Sequence, residues 1–174
     1  LKHFKLSNQK KDGFTFGYVG SAGTWYLFDV TVSCFAILLK LIPNAKLLII
    51  NRNEHEFIRR CLYKGGIPLE SVEIRSAEHV DMPGQIARMH ASIFFIKPVF
   101  SKQASAPTKL GEILGCGVPC ISNWGVGDMA EILEGDGVGV ALSHFNNSEL
   151  EAGLLRLIAL TQEPGIAERC VDSA

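Results

Sequence analysis

What this chain lacks narrows its chemistry. Its five cysteines include no C-x-x-C pair, and Cys34, Cys61, Cys116, Cys120 and Cys170 fall mostly inside apolar runs. An odd number so placed excludes a disulfide framework or cysteine-based zinc site and fits reduced thiols in a cytoplasmic protein. The histidines, at 3, 55, 79, 90 and 144, show no H-x-x-x-H or His–carboxylate spacing, so no metal is expected. There is no G-x-S-x-G elbow, no G-x-x-x-x-G-K-[S/T] loop, and no D-x-D pair to hold a divalent ion on phosphates. Leu1 to Gly13 is polar and lysine-rich and does not read as a signal peptide.

An excess of one charge is also missing. The net charge of −1 gives no general case for nucleic acid as a partner. The distribution is uneven, with 15 Lys/Arg against 8 Asp/Glu in residues 1–110, and 2 against 10 in residues 111–174. A basic front half suits an anionic ligand; a dipolar domain with solvated charges is the plainer reading. Nor is there a membrane-length apolar run. The nearest, Trp25 to Ile42, falls short of about 20 residues, carries Asp29, Thr31, Ser33 and Lys40, and stops at Pro43. It reads as a helix packed on a sheet or under a neighbouring domain, with apolar surface exposed if that neighbour is missing.

What is present is a globular composition, 47% apolar and 20% charged over 174 residues, enough for one well-filled core. With no initiator Met and no regular element before Phe14, residues 1–13 read as a linker and the chain as a fragment of something longer. Strands are expected at 14–20, 46–50, 71–76, 91–96, 118–122 and 138–142. Helices are expected at 25–42, 54–64, 82–90, 107–116, 129–134 and 148–160, with residues 163–174 a tail without clear pattern. This alternation specifies an α/β fold, a doubly wound parallel sheet of about six strands, Rossmann-like, over residues 14–162. In such sheets ligands bind beyond the carboxyl ends of the strands, here at loops 20–24, 51–54, 75–82, 97–106 and 123–128.

Phe100 to Asp128 is the densest of these regions: a small-residue loop, a short helix, a glycine stop, a buried strand and a second glycine loop. Ser101, Ser105 and Thr108 place hydroxyls near a helix N-terminus, where open N–H groups favour an anion. Lys109 opposes the helix dipole there, which an incoming phosphate would offset; a solvent-facing lysine is the alternative. Glu112 shares a face with Thr108 and Lys109, either as a surface partner of Lys109 or as an acceptor for ribose hydroxyls. Asp128 suits an N-cap. Earlier, Gly20-Ser21-Ala22-Gly23 between strand and helix has the layout of a phosphate turn, though a tight turn alone accounts for its glycines.

Ser105-Ala-Pro-Thr-Lys-Leu-Gly-Glu-Ile-Leu-Gly-Cys-Gly-Val-Pro-Cys-Ile, followed by Gly125-Val-Gly-Asp-Met-Ala-Glu-Ile-Leu, resembles the glutamate and glycine-loop signature of family-4 glycosyltransferases. These have the two-domain GT-B architecture. The Pro-Thr-Lys before the glutamate, the Tyr-Val-Gly strand and the Trp-Tyr after it look like a bacterial surface-polysaccharide branch. The similarity runs over roughly residues 14–160 and is most specific around Glu112.

The resemblance implies the C-terminal half of a hexosyltransferase, retaining and inactive alone, that binds a UDP- or GDP-linked sugar as substrate with no cofactor or metal. The acceptor, a glycan or lipid-linked molecule, would sit on a missing N-terminal domain, which would also carry any peripheral attachment at the inner face of the membrane. Glu112 matches the second glutamate of the family's E-x7-E element, expected to accept the ribose hydroxyls. The first, which contacts the donor sugar, is replaced by Ala104. The family's diphosphate-binding Arg and Lys have no direct match, so Lys109, Lys97 or Arg52 would substitute, with Gly20 and Ser21 at the opening turn. The base would lie against Arg75-Ser76-Ala77. No catalytic residue is assigned. Two other readings stand beside this one: a non-catalytic nucleotide- or phosphate-binding module, and half of a sugar-nucleotide epimerase.

Overall fold

The computed structural model describes residues 13–99 and 108–174. They form six strands, β1 (Thr15–Val19), β2 (Lys46–Ile50), β3 (Val72–Arg75), β4 (Ala91–Ile93), β5 (Cys120–Asn123) and β6 (Gly139–Leu142). The helices are α1 (Phe28–Leu41), α2 (His55–Lys64), α3 (Met82–Ile86), α4 (Thr108–Gly115), α5 (Met129–Gly135), α6 (Asn147–Thr161) and α7 (Ile166–Ser173). All strands are parallel, in the order β3-β2-β1-β4-β5-β6. Strand order reverses between β1 and β4, and right-handed crossovers put α1 and α2 on one face and α4 and α5 on the other.

The inner strands are buried on both sides. Leu47 to Ile50 and Cys120 to Asn123 are shielded throughout, as central parallel strands between two helical layers must be. Close packing at the sheet demands glycine at two points. A methyl on Gly17 would overlap the Met89 thioether, and one on Gly139 would strike the backbone carbonyl of Cys120. Helix α1 packs between α2 and α6, and no helix among the described residues is long and apolar enough to cross a membrane.

Four elements differ from the sequence expectation by three residues or more. Helix α1 starts at Phe28, not Trp25, because Thr24 adopts a left-handed φ of 54° and the next residues run alongside the end of β4. Leu27 N–H donates to Phe95 O at 2.9 Å, Lys97 N–H to Trp25 O at 2.9 Å, and Tyr26 bridges Ile96. The β4 ladder accordingly stops at Ile93, its continuation being bonded instead to the Asn123 side chain through Ile96 N–H at 2.9 Å. Helix α3 ends at Ile86, and His90 turns back to β1, its Nδ1 accepting from Thr15 N–H at 3.0 Å. Finally, residues 163–174 are not a patternless tail. After Gly165, at a φ of 79°, they form α7, which packs on α4 and buries Ile166 and Cys170 in the core.

Candidate functional site

The carboxyl ends of β1 and β2, the segment after β3 and the first turns of α4 enclose a cleft of about 260 Å³. Four of the residues singled out from the sequence line it: Gly20, Arg52, Lys109 and Glu112. They come from three separate stretches of chain and meet only because α4 folds back over the point where strand order reverses.

Lys109 is the centre of the arrangement. Its side chain leaves the first turn of α4 and reaches the end of β1, where Nζ donates to Val19 O at 2.7 Å. The ammonium also lies 3.9 Å from the Tyr26 ring centroid, with the Phe94 and Tyr18 rings at 5.2 and 5.7 Å. A cation over an aromatic face is stabilised by the ring quadrupole, which partly replaces lost water. Burial still dominates: it pushes the ammonium down to about 8, against the pull of the Glu112 and Glu54 carboxylates. Gly20 makes room for this. A methyl there would lie 2.7 Å from Nζ, and its φ of 100° is a conformation that side chains rarely adopt.

The glycine turn itself is already occupied. Glu54, just before α2, inserts its carboxylate into the loop, Oε2 accepting from Ala22 N–H at 2.8 Å and Oε1 from Gly23 N–H at 3.0 Å. Asn51 braces both: its Nδ2 donates to Gly20 O at 3.0 Å and to Glu54 Oε2 at 2.9 Å. Partial burial works against the Glu54 charge, but the bonds from Ala22, Asn51 and Gly23, with Lys109 nearby, outweigh it and hold the carboxyl below its usual range. The turn is therefore stabilised by a protein carboxylate where a phosphate was the alternative, and the cationic side of the cleft is Lys109 and Arg52.

Arg52 is exposed and makes only a loose 3.6 Å pair with Glu78. Glu112 faces the cleft from one turn along α4. Other expected residues lie elsewhere. Ser21 is exposed, its carbonyl accepting from the Tyr18 hydroxyl at 2.5 Å, and Thr108 is exposed outside the cleft lining. Lys97 Nζ is bonded to Thr24 O at 2.7 Å, on the far side of the turn. Arg75 is held by Glu73 at 2.8 Å and Gln85 at 3.2 Å along the sheet edge. Ser76 lines a second, polar cavity with Gln85 and Arg88, joined to the first through Ala77. Ser105, with Ala104, lies outside the described residues.

Sequence reasoning missed Tyr26, Asn51 and Glu54, which shape the cleft. Asn51 and Glu54 read only as strand-end and helix-start residues, and their i, i+3 spacing around Arg52-Asn53 was the available signal. Among the described residues, no group of three or more His, Cys, Asp or Glu is placed to hold a metal ion.

No protein-family model matches the sequence, and no curated protein is similar to it. Solved structures are. The C-terminal domain of a group 1 glycosyl transferase, LpcC of Francisella tularensis, superposes with a TM-score of 0.73 at 14% identity, covering 99% of this chain and 94% of that one. Sucrose-phosphate synthase of Thermosynechococcus elongatus gives 0.76 at 16% identity, covering 99% and 45%. The pneumococcal O-GlcNAc transferase GtfA, solved with UDP and GlcNAc, gives 0.73 at 14%, covering 98% and 34%. The fold is that of one half of a GT-B glycosyltransferase. The chain spans nearly all of the LpcC domain but under half of the two longer chains. Its strand order puts the Lys109 cleft at the edge where doubly wound folds bind ligands.

Proposed function

We propose that the chain is the nucleotide-sugar-binding half of a glycosyltransferase that passes a sugar from a UDP- or GDP-linked donor to a glycan or lipid-linked acceptor. The observation that carries this is the pairing of a half-buried cation with a carboxylate across one cleft: Lys109 and Glu112 one turn apart on α4, opposite Gly20 and Arg52. A diphosphate fits the cationic side. Lys109 commits one N–H bond to Val19 O and keeps ammonium donors for an anion, while Arg52, held only by the loose Glu78 pair, stands exposed at the rim. Glu112 fits a pair of vicinal hydroxyls, since an ionised carboxylate accepts on both oxygens. As the glycosidic bond breaks, negative charge grows on the leaving diphosphate, and cations fixed beforehand in a half-buried site stabilise that change more than mobile ones.

The resemblance around Glu112 supports the bacterial polysaccharide branch and a retaining outcome, with catalysis completed by a second domain. Calorimetry on the purified chain tests the site. UDP or GDP should bind more tightly than inorganic phosphate, and Glu112→Ala should weaken the nucleotide by about tenfold while leaving phosphate unchanged, the loss expected for hydrogen bonds to a charged group. Equal affinity for nucleotide in the Glu112→Ala protein would remove the transferase reading of this cleft.

A further inference from the structure

A groove of about 450 Å³ runs along the outer side of α2, away from the Lys109 cleft and down to the 3₁₀ turn at Leu69–Ser71. Its floor and walls are apolar, and two of its side chains stand in solvent: Tyr63 is 84% exposed and Leu69 64%. Its rim is cationic. Arg59, Arg60 and Lys64 line it at helical spacing, all exposed, against the single carboxylate of Glu56. Among the described residues none of those three cations makes an ion pair, whereas Arg52, Arg75, Arg88, Arg156 and Arg169 all do. Lys46, at the same end of the sheet, donates to Glu70 O at 2.8 Å beside Leu69 and adds a fourth positive charge, with the Glu70 side chain a second negative one.

We propose that this face of α2 docks on an anionic lipid surface. The groove has the two components such binding needs. Tyr63 and Leu69 supply amphipathic and apolar groups for the headgroup boundary, and the unpaired arginines and lysine supply attraction to acidic headgroups. Exposed apolar side chains cost solubility and clustered like charges repel one another, with no return inside the domain. Docking here leaves the nucleotide cleft at the opposite end of α2 open to the cell interior. The proposal stands without the donor-binding reading.

Sedimentation of the chain with lipid vesicles tests it. The protein should pellet with phosphatidylcholine vesicles containing about 30% phosphatidylglycerol at about 0.1 M salt, and be released by about 0.5 M salt. Each removed cation should lower partitioning about fivefold, so Arg59→Ala with Arg60→Ala should lower it more than tenfold. Tyr63→Ser, a milder change at an exposed position, should lower it severalfold. Nucleotide affinity should be the same in all these variants, which separates loss of docking from loss of the cleft. No pelleting of the unmodified protein, equal pelleting with neutral vesicles, or variants that pellet like the parent would overturn the proposal. So would concentration-dependent self-association without lipid that Arg59→Ala with Arg60→Ala abolishes, since the groove would then serve the acidic half of a second copy.

Discussion

Lys109 shows how a single residue can be readable as chemistry and unreadable as geometry. Its position in the first turn of a helix, against the dipole, admits either an anion-binding or a solvent-facing lysine. The structure confines it further, between a strand-end carbonyl and the Tyr26 ring, in a space that only glycine at position 20 leaves open. Burial sets its pKa near 8, below the unfolded value, so between about 8 and 10.5 the unfolded chain holds the extra proton and stability from this group rises with pH. Ligand binding has the opposite sign. A diphosphate favours the charged form, so nucleotide affinity should fall as pH rises through about 8. Binding at pH 8 should then take up a fraction of a proton. Calorimetry in buffers of different ionisation enthalpy measures that uptake. Lys109→Met should abolish it, weaken nucleotide by about tenfold, and raise the melting temperature at pH 7, where the buried charge is a cost. Buffer-independent heats in the unmodified protein would mean that Lys109 does not meet the phosphate.

At the scale of elements, the strands and most helices were legible because each was long or apolar enough to show its period. The failures share a cause: a side-chain or tertiary bond ended an element before its pattern did. Asn123 and Leu27 take over the backbone of residues 95–96, and His90 leaves α3 for β1. Helix α7 failed differently. It buries only Ile166 and Cys170, a single i, i+4 pair, too little to register as periodicity in eight residues. It still matters to the site, since it packs on α4, which carries Lys109 and Glu112. Its ends are tied down as well, Arg169 Nε donating to Gly137 O at 2.9 Å and the Ser173 hydroxyl to Asp136 at 2.6 Å. A chain ending at Gln162 should therefore lose about 3–5 kcal/mol from two uncovered core side chains, melt roughly 10 °C lower, and bind nucleotide more weakly. Thermal melts followed by nucleotide titration measure both. An unchanged melting point would make α7 an appendage.

Across the whole molecule, legibility followed covalent distance. The fold class needs only the order of elements, and that order is local; the cleft needs residues 19, 52, 79 and 109 to meet, and topology alone brings them together. Glycine turns and basic residues near strand ends are expected at one edge, and of these Gly20, Arg52 and Lys109 line one cleft there with Glu112. Which of them turn inward was decided by partners that no local pattern shows: Glu54 takes the turn, Thr24 takes Lys97, and Glu73 takes Arg75. What remains facing the cleft is cationic side chains rather than carboxylates grouped for a metal, and this carries a consequence for the whole chain. Charge on a bound diphosphate would be balanced by Lys109 and Arg52 directly, so a divalent ion would compete with them for the same oxygens. Nucleotide affinity measured in excess chelator should equal that measured in millimolar Mg²⁺, and added Mg²⁺ should at most weaken it by sequestering the free diphosphate. Affinity that collapses on chelation and returns with Mg²⁺ would show that an ion bridges nucleotide and protein, and would transfer the leading role from Lys109 to a carboxylate, with Glu112 the nearest.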